Sequence, residues 1–322
     1  MKTVIFKRLI SAIPLLIGIT ILSFVIMKCA PGDPTLMYTD PSVSLADLAQ
    51  VKQNLGLDKP LWQQYIYWVK ELCKGNLGFS YLSHKPVFLA ITERLPATLL
   101  LSVTSLVCIL LITLPLGLIS GKKKNSMFDH WVTFLTFLTM SMPTFWLGLM
   151  FILFFSLSLD LFPSAGFIDI NLKTAPVYQQ IPNILYHMSL PLLTIVCASL
   201  AGLTRYHRFG IIGILKQDYI TAARARNISE NRILFKHAFK NAALPVITIL
   251  GLELPGLISG SFVIEYIFSW PGLGQLGVNA VFARDYPVLM GTILFSSFLM
   301  IIGNLVADIA YSYVDPRVSV NQ

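Results

Sequence analysis

The stretch Leu95–Gly121 reads LPATLLLSVTSLVCILLITLPLGLISG and contains 27 residues without a charged side chain, between Arg94 and Lys122. A helix of this length rises about 40 Å, whereas the hydrocarbon core of a bilayer is about 30 Å thick. Its apolar residues form a continuous run, while the strands of a membrane barrel alternate between apolar and polar residues. The stretch therefore predicts a helix that crosses a membrane.

Five further stretches give the same prediction. The run Leu9–Met27 is uncharged for 19 residues, which is longer than a usual signal-peptide core, so it predicts a retained first helix. The other four stretches are Trp131–Leu159, Met188–Thr204, Ala242–Ile264 and Tyr286–Ala307. Pro143 predicts a kink in the first of these four. Only 12% of the residues are charged, which is about half the share in a soluble domain. The sequence predicts six membrane-spanning helices.

The basic residues are distributed unevenly over the segments between these stretches. If the N-terminus is cytoplasmic, the inner segments hold 15 lysines and arginines and four acidic residues. The outer segments hold nine basic residues, and seven of these lie in Lys28–Arg94 beside six acidic residues. Because lysine and arginine are retained in cytoplasmic loops, this excess places both termini in the cytoplasm. The formal net charge of +8 is then an effect of topology and does not predict a nucleic-acid partner.

Motifs that carry chemistry are absent or lie in the wrong context. The chain has no G-x-x-x-x-G-K-[ST] phosphate loop, so it lacks that means of hydrolysing ATP. Gly272–Gly277 matches G-x-G-x-x-G, but no strand is predicted before it, and we expect no dinucleotide there. The sequence shows no pair of catalytic residues or metal ligands at membrane depth, so it does not predict an enzyme. The cysteines form no framework, although a disulfide between Cys29 and Cys73 on the outer side stays open.

The segment 205–241 holds eight of the 15 inner basic residues. Asp218 is a suitable helix N-cap, the three alanines that follow favour a helix, and Asn227 tolerates the left-handed conformation at a helix end. A short alanine-rich helix flanked by arginines can insert closely into a groove of another protein. A solvated loop with arginines at lipid headgroups fits the same residues equally well. The residue pattern leaves these two interpretations open.

Two other regions have features beyond hydropathy. In the outer segment, apolar residues recur with a helical period from Leu61 to Leu72 after Pro60, which predicts a small helical cap. In the fifth stretch, Gly256 and Gly260 allow close approach of another helix. Glu253 lies mid-span, where a charge costs at least about 2.5–3.5 kcal/mol. It therefore either lines a wet path that meets a positive part of a solute or is a buried, hydrogen-bonded carboxyl.

Several stretches together resemble one family. They are Ala30–Pro34, Leu55–Pro60, Gly75–Gly78, Tyr219–Asn227, His237–Pro245, Glu265–Gly274, Arg284–Pro287 and Asp315–Arg317. In this order they are similar to the permeases of ABC importers, most of all the dipeptide/oligopeptide/nickel subgroup. The family's loop pattern has Glu-Ala-Ala followed by Gly four residues later. This chain departs from that pattern at Thr221, in place of Glu, and at Asn227, in place of Gly.

The resemblance implies an all-α polytopic fold of six transmembrane helices, the type I ABC importer permease fold. Residues 1–94 would form the first helix and an extracytoplasmic helical segment. Residues 95–311 would form a five-helix core with a coupling loop at 205–241, and residues 312–322 a cytoplasmic tail. The chain would lie in the bacterial inner membrane, in contact with lipid. It would bind no cofactor or metal itself, because ATP and Mg²⁺ would be held by partner subunits.

The resemblance also implies roles for partners and residues. The partners would be a second homologous permease, two ATP-binding subunits and an extracytoplasmic solute-binding protein, and the solute would be a peptide or a related solute such as nickel. The ATPase-coupling residues would be Asp218, Tyr219, Thr221, Ala222, Ala223, Arg224, Ala225, Arg226 and Asn227. The translocation path would include Glu253, Gly256, Gly260 and Glu265. The loop that faces the binding protein would include Trp270, Gly272, Gly274 and Asp285. The alternative is a six-helix secondary carrier or channel that works alone.

Overall fold

The computed structural model describes residues 2–29, 59–243 and 262–314, together with the single positions 245, 246, 249 and 256. Within these residues the chain is helical and contains no strand, apart from one isolated bridge between Phe79 and Pro86. The helices are α1 Lys2–Cys29, α2 Leu61–Cys73, α3 Val87–Lys122, α4 Met127–Met140, α5 Thr144–Phe151, α6 Val177–Leu215, α7 Asp218–Ala225, α8 Glu230–Arg232, α9 Phe262–Ile267, α10 Leu273–Phe282 and α11 Tyr286–Val314. Helices α5 and α8 continue as π-helix through Ile152–Ser158 and Ile233–Phe239.

Three of these helices, α3, α6 and α11, are long and apolar enough to cross a membrane. A fourth crossing is present if α4 and the segment Thr144–Ser158 form one broken span. The all-helical, multi-pass architecture is therefore confirmed. The fifth predicted span, Ala242–Ile264, falls largely outside the described residues, and α1 matches the first predicted span in position. The number six stays a prediction.

The predicted kink at Pro143 is a complete break. Helix α4 ends at Met140, Pro143 is the N-cap of α5, and the two helix axes are bent by 104°. Proline lacks the N–H that would continue the helical ladder and disfavours helical geometry in the residue before it. The break turns the predicted straight span into a broken span or a re-entrant segment.

Helix α6 is more than twice as long as the apolar run that predicted it. It has 39 residues and rises about 58 Å, which exceeds the thickness of a hydrocarbon core. Its last eleven residues, 205–215, are the first part of the predicted inner loop. The start of the loop therefore stands on a rigid extension of α6.

Helices α3 and α6 form the largest helix–helix contact. A Cβ at Gly117 would lie 2.7 Å from Nδ1 of His207, and a Cβ at Gly121 would lie 2.7 Å from Cγ2 of Ile211. Glycine at both positions is therefore required by the close approach of the two helices. Above this contact, apolar residues of α3 and α6 form the main core with Phe268.

Candidate functional site

Beyond the end of α6, the predicted inner loop continues with α7, a helix of two turns. Gln217 is its N-cap with extended backbone angles, and no side chain caps it. The prediction that Asp218 is the N-cap is wrong by one residue, because Asp218 is already helical. Its carboxylate still lies in the first turn, where the helix dipole favours negative charge.

The end of α7 is a Schellman turn. Asn227 has a φ of 55°, in the left-handed region. Its N–H donates to the carbonyl of Arg224 at 2.9 Å, and the N–H of Ile228 donates to the carbonyl of Ala223 at 3.2 Å. These two bonds satisfy carbonyls that a helix end otherwise leaves free. The prediction that Asn227 adopts the left-handed conformation is confirmed, so the turn forms without the family's glycine.

One face of α7 is buried against the loop itself. Ile220 and Ala223 are buried and form a cluster with Ile233. Ile214, Leu215 and Ile228 pack around that cluster. The side chain of Ala223 is therefore not available to a partner. It packs α7 against the rest of the loop.

The opposite face of α7 is open. Its exposed residues are Asp218, Tyr219, Thr221, Ala222, Arg224, Ala225, Arg226 and Asn227. Ala222 and Ala225 are three residues apart, so they lie on one side of the helix. Because both are small, another surface can approach the helix backbone closely at this point.

Two polar contacts fix α7 to the helical segment that follows it. Arg224 Nε donates to Glu230 Oε1 at 2.8 Å, and its Nη2 donates to Oε2 at 3.4 Å. The Arg224 guanidinium lowers the pKa of the Glu230 carboxyl. Asn241 Nδ2 donates to the Tyr219 hydroxyl at 3.3 Å. The exposed ion pair adds little stability, but together the contacts set the angle of α7.

Between α7 and the membrane, an ion pair fastens α6 to the first turn of α4. Arg208 Nε donates to Asp129 Oδ1 at 2.5 Å, and its Nη2 donates to Oδ2 at 2.6 Å. Asp129 is 3% exposed and also accepts from the Ser120 hydroxyl and from the Asn125 N–H at 2.9 Å. Sequence patterns do not reveal this pair, since 79 positions separate the two residues.

The loop after α9, which was predicted to face the binding protein, has a different character, because its proposed contact residues are buried. Trp270 is fully buried, and its Nε1 donates to the carbonyl of Ala97 at 2.8 Å. Asp285 is 4% exposed and accepts from Ser80 Oγ at 2.5 Å and from the N–H groups of Tyr81 and Leu82. The side chains of Trp270 and Asp285 therefore hold the loop in place and do not face a partner.

Glu265 caps the N-terminus of α10. Its Oε2 accepts from the N–H groups of Gly274 at 2.7 Å and Gln275 at 3.4 Å, and its Oε1 accepts from Thr98 Oγ1 at 3.0 Å. Thr98 in turn accepts from the N–H of Leu273 at 2.8 Å. Glu265 is 1% exposed, so the hypothesis that its side chain lines the path does not fit the structure. Burial raises the pKa of this carboxyl, while its three donors act in the opposite direction.

The glycines of the false dinucleotide motif serve this same packing. A Cβ at Gly272 would overlap the Glu265 carboxylate and the Thr98 hydroxyl. A Cβ at Gly274 would lie 2.5 Å from Cα of Phe262, and one at Gly277 would lie 2.8 Å from the Phe262 ring. Gly272 and Gly274 are therefore explained by the close approach of α9 and α10.

The remaining path residues are outside or at the edge of what the structure describes. Glu253 and Gly260 lie outside the described residues. A Cβ at Gly256 would meet no atom within 4 Å, so packing against the described residues does not require glycine there. The path-lining role of these three residues stays a prediction.

Two family models cover nearly all of the chain. Residues 113–320 match the family described as "Binding-protein-dependent transport system inner membrane component", and residues 1–102 match the N-terminal part of the same type of membrane component. The chain belongs to this permease family. Its place in an inner-membrane transport system agrees with the apolar helices of the fold.

Relatives of the permease extend over its whole length. It is 45% identical over 319 residues to the oligopeptide transport system permease protein AppB of Bacillus subtilis, with 99% of each chain covered. It is 36% identical over 331 residues to the dipeptide transport system permease protein DppB of Escherichia coli, with 98% of each chain covered. It is 37% identical over 318 residues to a putative peptide transport system permease protein of Brucella abortus, with 99% covered.

The family membership agrees with the expectation that the permease is not itself an enzyme, because these relatives are named as transport permeases.

The structure answers the open question of a disulfide between Cys29 and Cys73, because both are exposed free thiols.

A prediction follows for Glu265, whose carboxylate serves three donors. Glu265→Gln keeps the size of the side chain but leaves one donor facing an amide NH₂ group. Losing a buried hydrogen bond to a charged group costs about 1.5–3 kcal/mol, so we expect a clear fall in the thermal unfolding midpoint of the purified permease. Glu93→Gln is the matched control, since Glu93 is exposed and its carboxylate lies 3.6 Å from Lys85 Nζ. Equal midpoints for the two variants would contradict the capping role.

Proposed function

We propose that this chain is the permease subunit of an ATP-driven peptide importer and forms half of its transmembrane path. The observation that carries the proposal is α7, a short helix with an open alanine face that is held rigidly on the end of α6. A helix of this kind suits insertion into a groove of a second protein. The names of the relatives, which refer to oligopeptide and dipeptide transport, support a peptide as the solute.

In this proposal the work is divided among several chains. A second, homologous permease completes the path, and each of two ATP-binding subunits receives one coupling helix. ATP and Mg²⁺ are bound by those subunits, whose closure would move α7 and, through α6, the membrane helices. Both termini face the cytoplasm, as the distribution of basic residues predicts. An extracytoplasmic binding protein delivers the solute to the other face.

Rigid connections below the membrane support this mechanism. A push on α7 passes to Ile233 and Leu215 through their shared cluster. Nearer the membrane, Ile211 of α6 packs with Leu118 of α3 and with Leu234, and Arg208 is paired with Asp129. A movement of α7 would therefore shift α6 and α3 together rather than deform a flexible loop.

The cargo is tested with the assembled transporter in proteoliposomes. The permease is co-expressed with a homologous permease, two ATP-binding subunits and a binding protein from the same organism. We expect the binding protein together with di- or oligopeptides to stimulate ATP hydrolysis and peptide uptake. Stimulation by nickel alone would overturn the peptide assignment but not the coupling mechanism. Uptake driven by an ion gradient without ATPase subunits would instead support a stand-alone carrier.

A further inference from the structure

Helix α2 has an apolar stripe that is wider than the part its neighbour covers. Tyr65 and Trp68 face α1, where the ring centroids of Phe24 and Tyr65 are 5.5 Å apart and those of Phe24 and Trp68 are 6.2 Å apart. Beside them, a second row of residues turns away from α1. This row, the open stripe, consists of Trp62, Ile66, Val69 and Cys73, which recur every three or four residues. Trp62 is 62% exposed and Ile66 is 44% exposed.

The other side of α2 is polar. Gln63, Gln64, Lys70 and Glu71 lie there, and Glu71 Oε1 is 2.7 Å from Lys74 Nζ. A helix with one apolar, tryptophan-containing face and one polar face is typical of helices that lie along a membrane surface. The apolar face alone does not identify what covers it. The position of α2 along α1 shows whether the open stripe lies at the level of lipid or of water.

Helix α1 provides a measure of that depth. Its uncharged run of 19 residues, Leu9–Met27, rises about 28 Å and matches a hydrocarbon core of about 30 Å. Large apolar side chains are exposed all along this run, including Ile10, Leu15 and Leu22, as expected of a helix in contact with lipid. Lys28 then lies over the Phe24 ring, 5.6 Å from its centroid, where a lysine can extend to the headgroups.

The contacts of α2 place it at that end of α1. The Thr20 hydroxyl donates to the carbonyl of Ile17 at 2.8 Å, so the Tyr65 hydroxyl is the donor in its 2.9 Å bond to Thr20. Thr20 lies about 10 Å and Phe24 about 5 Å below Met27 along the helix. Tyr65 thus reaches down into the level of the acyl chains, and the body of α2 lies at the level where α1 leaves them.

We propose that α2 is an interfacial helix whose open stripe lies in the boundary between headgroups and acyl chains, in the leaflet that surrounds the C-terminal end of α1. The exposed apolar side chains of α1 at this depth already indicate contact with lipid, so we assign lipid to the open stripe as well. Tryptophan is enriched at this level of a membrane because its ring is apolar and its N–H is polar. In this position α2 would be anchored at the membrane surface, at a fixed place relative to the first span.

Nitroxide labels on the assembled transporter in phosphatidylcholine–phosphatidylglycerol vesicles test the proposal. Cys29 is replaced by serine, Cys108 and Cys197 by alanine, and a label is placed either on the native Cys73 or, with Cys73→Ser, on Ile66→Cys. The control is Tyr67→Cys, because Tyr67 is 64% exposed and points away from the open stripe. Collisions with oxygen, which enters the acyl region, are compared with collisions with a water-soluble nickel chelate.

We expect positions 66 and 73 to be several-fold more accessible to oxygen than to the nickel chelate, and position 67 to show the reverse preference. Free access of the nickel chelate to all three positions would place α2 in water and overturn the proposal. Protection of positions 66 and 73 from both reagents would show that a protein chain covers the stripe and would overturn it as well. Neither outcome depends on which solute is transported or on whether uptake is ATP-driven.

Discussion

Replacing Ala222 and Ala225 together with aspartate is expected to abolish ATP-driven uptake while the permease remains folded and inserted. Both residues are exposed on the open face of α7, so the change leaves the interior of the loop untouched. In the proposed complex the two carboxylates would be buried in the groove of the ATP-binding subunit without partners. An unpaired buried charge costs about 3–5 kcal/mol, which corresponds to a loss of affinity of at least about 100-fold. Co-purification of the ATPase and uptake of labelled peptide measure the effect.

The matched control for this variant is Ala223→Asp. Ala223 is buried against Ile233, so this substitution should lower the amount of folded permease, whereas the double variant should not. Serine at positions 222 and 225 adds little volume and no charge, and we expect it to preserve most uptake. Normal uptake in the double aspartate variant would show that the open face of α7 contacts no partner.

Asp129→Asn is expected to give the largest loss of stability of any single polar substitution in the described inner region. Asp129 is buried and holds both nitrogens of the Arg208 guanidinium that face it. Removing one member of a buried ion pair leaves the other uncompensated and costs about 3–5 kcal/mol. We expect a strongly lowered thermal unfolding midpoint and a smaller yield of assembled transporter.

Two further variants define the cause of that loss. Asp218→Asn removes an exposed acidic residue from the same side of the membrane and should leave the midpoint nearly unchanged. Arg208→Lys keeps the charge but cannot form the paired contact, so we expect an intermediate loss. If Asp129→Asn unfolds at the same temperature as Asp218→Asn, the ion pair does not hold α6 to the first turn of α4.

Local patterns in the sequence were sufficient to predict α3, α11, the interruption near Pro143 and the end of α7. Uncharged runs placed α3 and α11, and Pro143 placed the break between α4 and α5, because both effects depend on adjacent residues. Asn227 indicated the left-handed turn, since asparagine tolerates a positive φ. The length of α6 was missed because the helix continues into polar flanks that a hydropathy window leaves out.

Contacts between distant residues were beyond the reach of sequence patterns. Glu265 was assigned to the translocation path, but its hydrogen-bond partner Thr98 is 167 positions away in the sequence. The buried face of α7 depends on Ile233, which a helical period within α7 alone does not reveal. Trp270 was placed on the surface of a loop, and its burial follows from the packing of α3 against that loop.

A photo-crosslinking amino acid at Ala225 shows directly which molecule lies against the open face of α7. The assembled transporter is irradiated in its membrane, and the crosslinked product is identified by mass spectrometry. The same amino acid at the exposed Ile170, in the segment between α5 and α6, is the control and should not capture the same product. We expect a crosslink from position 225 to the ATP-binding subunit. A crosslink to lipid alone would show that the arginines of this loop anchor it at the headgroups and that α7 does not bind an ATP-binding subunit.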